Sequence, residues 1–434
     1  MNPQRISRRS FLRQGISLSA AGLAVPTILP ARVLGAPSAN DRIGVAFLGV
    51  GRRGQQLLSE LPKTARVLAV CDVDRTRAAA AAAKAHCPFH LDYRKVFDLK
   101  EVEAVVVATP DHWHALGCIH ACQAGKDVYC EKPLTLTIRE GRLIVQAARK
   151  YQRVVQVGTQ RRSFPAHRLG VELIRRGAIG KVLSVLSRNY PSPWECGFAG
   201  QPVPEGLNWD MWCGPTQPVP FHQELFIQRA RPGWLSFRPY CGGEMTNTGA
   251  NGLDLIQWAL GADDTGPTEI LAEGGKLEPL VYTVPESAAR GNAHSSKGRQ
   301  VTIRFPGGVT VKLGSDGPLG GAYLGEKGKF FIESSSIRSD PPDIAREVLQ
   351  QAKDVRQGSH LQNWIDCIKS RQRPASDVEI GHRSATICHL GNIARWVGRK
   401  LRWDPVQEVF VGDSEANGYL DRPRRSPYKL PDSV

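Results

Sequence analysis

From Arg42 to about Arg161 the chain alternates between short apolar runs and amphipathic stretches. Residues 43–48, 66–71, 102–108, 126–130 and 154–157 are strand-length and rich in Val, Ile, Ala and Leu. Runs this short and this apolar predict strands covered on both faces, as in a parallel sheet. Between them, residues 55–61, 75–86 (with six consecutive alanines), 93–99, 112–124 and 137–151 predict helices on period and propensity. Strand–helix alternation of this kind predicts an α/β doubly wound sheet with right-handed crossovers.

After Arg161 the alternation stops. A helix over 165–176 and a strand over 181–188 precede a long Pro/Trp/Gly-rich excursion, 190–240. A buried helix is predicted over 252–260, strands over 301–305, 309–313 and 329–333, and helices over 361–370 and 381–398. This predicts an α+β second domain with an antiparallel sheet. The proline- and arginine-rich end, 415–434, predicts an arm lying on a neighbour or on the body. There is no internal repeat.

Length and composition bound the rest. The 434 residues suffice for two or three domains, and 41% hydrophobic with 23% charged residues is globular composition. No 18-residue apolar run occurs in the body, which argues against a polytopic membrane protein. The N-terminus differs. Ser7-Arg8-Arg9-Ser10-Phe11-Leu12-Arg13 is a twin-arginine pattern, followed by a weakly apolar run over 15–29. Together they predict an export signal over 1–38 and a periplasmic protein. Cleavage is expected near 36–39; the poor small-x-small site leaves an uncleaved membrane anchor open.

Net charge is +16, of which Arg5, Arg8, Arg9, Arg13 and Arg32 in the leader supply +5. The remainder is spread without a basic block, as on a solubilising surface, and no nucleic-acid motif is present. None of the ten cysteines forms a Cys-x-x-Cys pair. Cys118 and Cys122 are i,i+4 neighbours, a spacing shared by core packing and metal ligation. A chain folded before export need not form disulfides, so buried thiols and no zinc site are expected.

Three clusters carry chemistry. Gly49-Val50-Gly51-Arg52-Arg53-Gly54 follows the first strand and opens a helix. The first glycine permits the tight turn, the second lets a pyrophosphate approach the backbone, and the third lets helix and strand pack closely. The helix N-terminus supplies N–H groups and a positive dipole end to phosphates. Asp72 lies at the end of the second strand, where its carboxylate can accept from ribose hydroxyls. That favours NAD over NADP; Arg52, Arg53 and Arg75 could blunt the repulsion of a 2′-phosphate, which keeps NADP open. The second cluster, Thr109-Pro110-Asp111-His112-Trp113-His114, sits past the valine-rich strand. It is expected to line the cofactor at the carboxyl ends of the strands, or to cap a helix with Asp111 and a core Trp113, or both. The third is Glu131-Lys132-Pro133 after the next strand. Near an oxidised nicotinamide, the Lys132 amine would be held toward neutrality by like charge and desolvation, and could take a proton from a substrate hydroxyl. The bland reading is a surface lysine paired with Glu131.

The glycine loop, Asp72, Thr109-Pro110 and Glu131-Lys132-Pro133-Leu134 together resemble the Gfo/Idh/MocA oxidoreductases, the glucose–fructose oxidoreductase and inositol dehydrogenase family. Asp111-His112-Trp113-His114, Asp127-Val128-Tyr129-Cys130-Glu131-Lys132-Pro133 and Glu379-Ile380-Gly381-His382-Arg383-Ser384 resemble its exported, twin-arginine branch. The resemblance implies a Rossmann domain over 41–160 and, over 161–405, a substrate and oligomerisation domain with an open antiparallel sheet, which leaves the arm over 406–434. It implies Lys132 as the catalytic lysine, with Pro133 often after a cis bond. It also implies a motif Asp-x-Gly-x-His-x-x-Asp, which here reads Asn247-Thr248-Gly249-Ala250-Asn251-Gly252-Leu253-Asp254. The usual aspartate is Asn247 and the usual histidine Asn251. Asparagine donates and accepts hydrogen bonds but does not titrate near neutrality.

The expected cofactor ligands are Gly49, Gly51, Arg52, Arg53, Gly54, Asp72, Thr109, Pro110, Asp111, Trp113, His114, Glu131, Lys132 and Gln160. Lys132, Asn247 and Asn251 are the candidate catalytic residues. Arg161, Arg162, Tyr190, Arg238 and Asp254 are the expected substrate side, joined by Tyr240. Trp194, Trp209 and Trp212 either stack on sugar faces or pack the domain. The resemblance implies hydride transfer between NAD(P) and a hydroxyl carbon of a sugar or sugar derivative, in a homo-oligomer; the export signal predicts delivery by the twin-arginine machinery, which carries folded proteins, and hence a tightly bound cofactor. Two alternatives stay open. One is a glycoside lyase or hydrolase using bound NAD in a transient redox cycle. The other is a non-catalytic, cofactor-stabilised sugar-binding protein.

Overall fold

The first sheet is built from strands whose side chains are buried on both faces. In the computed structural model, which describes residues 41–226, 233–279, 281–283, 299–314, 317–354 and 358–434, the alternating half forms β1 (Ile43–Leu48), β2 (Ala65–Cys71), β3 (Phe89–His90), β4 (Ala104–Val107), β5 (Asp127–Cys130) and β6 (Val155–Val157). All are parallel, in the order β3-β2-β1-β4-β5-β6. The order reverses between β1 and β4, the switch point where such sheets bind ligands. The twin-arginine segment lies outside the described residues.

Helices α1 (Arg52–Glu60), α2 (Arg75–Ala85), α3 (His114–Gln123) and α4 (Ile138–Lys150) follow the strands. One face of the sheet packs on α3 and α4 through Ile119, Leu143 and Ile144. The other face meets Leu57 of α1, Ala81 and Ala82 of α2, and Leu361, Trp364 and Ile365 from more than two hundred residues downstream. A parallel sheet needs cover on both faces. Two short helices rich in Ala, Gln and Arg leave part of this face open, and the helix at His360–Ser370 closes it. The expected boundary at 160/161 is therefore crossed: this helix serves the first domain.

The second half continues with α5 (Pro165–Arg175), β7 (Val182–Arg188), β8 (Glu195–Cys196), α6 (Glu244–Ala259), β9 (Glu269–Ala272), β10 (Val281–Tyr282), β11 (Val301–Arg304), β12 (Thr310–Gly314), β13 (Ala322–Gly325), β14 (Gly328–Ile332), β15 (Ile337–Asp340), α7 (Asp343–Asp354), α8 (His360–Ser370), α9 (Val378–Val397), β16 (Leu401–Asp404) and β17 (Val409–Phe410). Nine strands make one sheet, β15-β14-β13-β7-β12-β11-β9-β16-β17. It is mixed rather than wholly antiparallel, because β7 and β12 run parallel. Their connection passes through the excursion and α6, long enough for a crossover. Leu253 and Ile256 of α6 and Ile387, Leu390 and Ile393 of α9 join the core beside Val185, Ile303 and Val311 of the sheet.

Two further expectations are corrected. The buried helix begins at Glu244, eight residues before the predicted start. Its first turns carry Thr, Asn and Gly, weak helix formers on propensity, and the fold overrides that. β17 pairs with β16 inside the segment expected to be the arm. The true tail lies on the body: Arg422 and Arg424 both donate to Glu140 Oε1 (3.1 and 2.9 Å), and Tyr428 stacks edge-on to Trp113. All ten cysteines are free; eight are buried, with Cys87 and Cys196 half-buried.

Candidate cofactor and active site

The glycine loop takes its shape from contacts only glycine permits. Gly49 has φ +84°, and a Cβ there would stand 2.7 Å from Ala108 O. A Cβ on Gly54 would stand 2.2 Å from Gly49 O, so the third glycine lets α1 start against the turn. Gly51 caps α1 without a side-chain cap bond, and no acid occupies the first turn. The N–H groups of this helix end thus face a cavity lined by Gly49, Gly51 and Arg52.

Asp72 does two jobs. Its Oδ2 accepts from Val50 N at 2.9 Å, and its Oδ1 from Asp74 N at 3.1 Å and Arg77 Nη1 at 3.4 Å, so it braces the glycine loop. An ionised carboxylate offers about four acceptor sites, which leaves capacity for a ribose hydroxyl at the cavity wall it lines. Burial pushes its carboxyl above the usual range, against the pull of Arg77.

Arg53 Nε donates to Glu131 Oε1 at 2.7 Å, and Gln160 Nε2 donates to the same oxygen at 3.2 Å. Glu131 Oε2 accepts from Lys132 N at 3.2 Å. Glu131 is therefore spent on Arg53, Gln160 and its neighbour's backbone. The Lys132 ammonium turns instead to α6: Nζ donates to Asn247 O at 3.0 Å and to Asn247 Oδ1 at 2.9 Å. The Lys132–Pro133 peptide is cis. Asn247 Nδ2 donates in turn to Glu244 Oε1 at 3.2 Å, and Thr248 Oγ1 to Glu244 Oε2 at 2.5 Å. Glu244, Asn247, Thr248 and Asn251 lie on one helical face, at i, i+3, i+4 and i+7, and all line the cavity.

The loop after β4 closes the third side. Thr109, Pro110, Asp111, Trp113 and His114 line the cavity, and both bland and functional readings of this loop hold. His114 faces Pro133 O (2.8 Å) and Thr109 O (3.0 Å) through its two ring nitrogens, joining the β4 and β5 loops. Burial holds His112 down to about 3, so it is neutral and its Nε2–H donates to Trp212 O at 2.8 Å. Trp113 Nε1 donates to Met211 O and Trp212 O (3.0 and 3.1 Å). The excursion is thereby fastened across the cavity mouth, with Met211, Trp212, Phe226, Trp234, Leu235 and Ser236 on the wall.

The whole cavity is about 720 Å³. It gathers every expected cofactor residue except Gly54, which acts by packing under the loop, and it gathers Asn247 and Asn251. Of the expected substrate residues it receives only Arg161, which also donates to Ser334 O. Arg162 is turned inward, with Nε at 2.9 and 3.0 Å from the Asp254 carboxylate and Nη2 at 2.7 Å from Asp263 Oδ1. Tyr190 packs its ring on Gly249 and donates to Leu319 O, and Arg238 stacks on Trp396 while pairing with Glu195. Trp194, Trp209 and Tyr240 are core members of the aromatic excursion. Glu244, Thr248, Arg77 and the Trp234–Ser236 turn are cavity residues not foreseen. The first two would have followed from i,i+3 spacing had the helix start been readable at Glu244.

Two observations test the fit to a dinucleotide. The glycine cradle is space that a Cβ would fill, and Thr109 Oγ1 is buried on the cavity wall with no hydrogen-bond partner among the described residues. Both suit a bound polar ligand, and the uncapped α1 suits its phosphates.

Comparisons with known proteins agree. The oxidoreductase family's NAD-binding Rossmann fold matches residues 43–159, and its C-terminal alpha/beta domain matches residues 186–430. An inositol 2-dehydrogenase of Salmonella typhimurium is 34% identical over 150 residues, 33% of this chain and 45% of that protein. A 2,7-anhydro-N-acetylneuraminate hydratase of Mediterraneibacter gnavus is 31% identical over 143 residues, 32% of this chain and 38% of that protein. The chain thus spans under half the length of these curated relatives. Among solved structures, the WlbA dehydrogenase of Bordetella pertussis in complex with NADH and UDP-GlcNAcA superposes with a TM-score of 0.59 at 18% identity, covering 84% of this chain and 99% of that one. At that identity the likeness is one of fold.

Proposed function

We infer the activity from the premise that this chain belongs to the Gfo/Idh/MocA oxidoreductase family, whose NAD-binding Rossmann domain it carries. The protein is read as an NAD(P)-dependent oxidoreductase that transfers hydride between its cofactor and a hydroxyl carbon of a sugar or sugar derivative. When bound, the cofactor supplies the hydride acceptor or donor. Gly49, Gly51 and the N-terminus of α1 would hold its phosphates and Asp72 its ribose, a preference for NAD. Lys132 would take the proton of the substrate hydroxyl, or return it in reverse. Asn247 holds that amine at the cavity wall by two hydrogen bonds. The observation that carries the reading is this placement of Lys132, at the tip of β5 and beside the loops from β1 and β4.

Lys132→Ala should leave cofactor bound and slow single-turnover hydride transfer by roughly 10²–10⁴. An unchanged single-turnover rate removes Lys132 from the chemistry.

A second reading has support in the relative named a hydratase. In it, retained NAD takes a hydride from the substrate and returns it within one turnover while a glycoside bond is cleaved. Bond cleavage with no net change in cofactor absorbance selects it; net reduction of the cofactor selects the first.

We also propose export by the twin-arginine route, as a periplasmic or anchored protein, on the strength of Arg8-Arg9 and the apolar run behind them. Cell fractionation of the wild type against Arg8→Lys/Arg9→Lys tests this. A homo-oligomer is proposed from Leu183 and Leu186 on β7, which are 51% and 42% exposed on the large sheet; light scattering of the purified protein tests it.

A further inference from the structure

The cavity holds a buried carboxyl that the proton transfer just described leaves unused. β4 and β5 are adjacent parallel strands, with Val107 opposite Cys130. Asp111 leaves the tip of the first and Lys132 the tip of the second, and both line the cavity. Asp111 is only 2% exposed, and its Oδ2 has no hydrogen-bond partner among the described residues. A charge buried without a partner costs several kcal/mol, so a carboxyl in this position either holds a proton or answers a nearby cation.

The groups that face it decide which. Glu131 and Cys130 come from β5 and its loop, Glu140 from α4, and Cys241 from the turn before α6. Glu131 is engaged by Arg53, and Glu140 by Arg422 and Arg424. The cation that acts on Asp111 is Lys132, and it opposes a burial that pushes the carboxyl well above its usual range. On its other side Lys132 meets the two neutral oxygens of Asn247, with Glu244 one step behind, and the Cys388 thiol of α9. The α6 position to which the family resemblance assigns a titratable histidine is Asn251.

We infer that Asp111 is the proton-sharing partner of Lys132, supplying from the β4 loop the second titrating group that α6 lacks. This rests on the oxidoreductase reading of the site. In its resting form the pair shares one proton, and Lys132 is ready to accept another whenever that proton sits on the carboxyl. The substrate O–H bond breaks, its proton goes to Nζ, and the carbon's hydride goes to oxidised nicotinamide, leaving a carbonyl. The pair then carries two protons and releases one to solvent. Asp111 acts through Lys132 and is a positioning residue.

The test reads Lys132 itself. The purified full chain, with whatever cofactor it retains, is labelled with cyanate across pH, and the Lys132 peptide is quantified by mass spectrometry. A neighbouring opposite charge shifts a pKa by about one to three units. Asp111→Asn should therefore lower the labelling midpoint and speed labelling near neutrality about tenfold or more, while Asp111→Glu keeps the wild-type profile. The wild-type midpoint should itself lie away from that of an exposed lysine. Identical profiles for Asp111→Asn and wild type overturn the proposal, as does a wild-type midpoint indistinguishable from the other lysines. Because no turnover is read, a protein that oxidises no sugar still answers the question.

Discussion

The cavity has two walls, and they come from different kinds of information. One wall is the row of strand tips after β1, β2, β4 and β5. There the chain itself dictates the geometry: a glycine at φ +84°, a helix start without a cap, a lysine two residues past a strand. The other wall is the start of α6 and the aromatic excursion. Its residues face the cavity because of partners far away in sequence. Arg161 and Arg162 show the difference most clearly. They are adjacent in the chain and equally plausible as substrate ligands, yet Arg161 lines the cavity and Arg162 is 4% exposed in an ion pair with Asp254 and Asp263.

That contrast can be broken by exchanging the roles. Arg162→Ala leaves Asp254, fully buried, with only the Ser384 hydroxyl. Removing one partner of a buried pair costs about 3–5 kcal/mol, so the thermal or urea midpoint should fall sharply while the KM of surviving enzyme is unchanged. Arg161→Ala should do the reverse. If Arg162→Ala raises KM at constant stability, the division between the walls is wrong.

Next in size is the join between the first wall and the C-terminal tail. Glu140 completes the capping box of α4, accepting from Leu136 N and Thr137 N, and its other oxygen takes Arg422 and Arg424. Arg422 also holds His112 O and Thr216 Oγ1, so the tail reaches the β4 loop and the excursion together. Glu140→Gln keeps an acceptor for the cap but removes the charge. Since the Arg422 side chain keeps 16% exposure, the loss should fall below that of a fully buried pair, about 2–3 kcal/mol. The sign with pH follows. Burial raises the Glu140 carboxyl, but the two arginines outweigh it and hold it below the ordinary 4.5. Its stabilisation is complete above that value and is lost as pH falls through the lowered one. Acid unfolding of Glu140→Gln should be correspondingly flatter below pH 4.5 than that of the wild type.

Asp72 offers a smaller, more selective change. Asp72→Ser removes the charge that a 2′-phosphate would meet, and with it the brace on Val50 N. The ratio of NAD to NADP affinity should fall by roughly tenfold, the equivalent of about 1.4 kcal/mol, with weaker binding of both. Isothermal titration of the two cofactors reads this, and a constant ratio would deny the ribose contact.

Five of the six strands of the parallel sheet and nearly all of their cavity-facing tips were legible because each rests on local backbone chemistry: apolar runs of strand length, and glycines where a Cβ cannot fit; the short edge strand Phe89–His90 carries no such run. The four line-of-sight residues on α6 were half legible. Asn247 and Asn251 stood out through the family resemblance, but Glu244 and Thr248 did not, since Thr, Asn and Gly hide a helix start that tertiary packing alone secures. The helix that completes the first sheet was legible as a helix and not as part of that sheet. Its apolar face, Leu361, Trp364, Ile365 and Ile368, says that it is buried and cannot say against what. Tyr190 and Arg238 lie off the cavity wall for the same reason: an amphipathic side chain near a site packs or binds according to neighbours brought by the fold.

Arg238 marks the lower limit of the comparison. Its guanidinium lies 4.5 Å from the Trp396 ring and 5.5 Å from that of Tyr419, and it pairs with Glu195 at 3.1 Å. Both members of the ion pair are about a third exposed, so solvent screens it to about 0–1 kcal/mol. Cation–π contacts at such sites add about 0.5–1 kcal/mol. Arg238→Ala should therefore shift the unfolding midpoint by an amount worth about 1 kcal/mol and leave both cofactor retention and the KM of the proposed reaction alone. The residue fastens the excursion's return to α9 and to the start of the tail, behind the wall rather than on it. A severalfold rise in KM with no change in unfolding would put Arg238 back in the cavity, and would mean that the excursion rearranges when substrate binds.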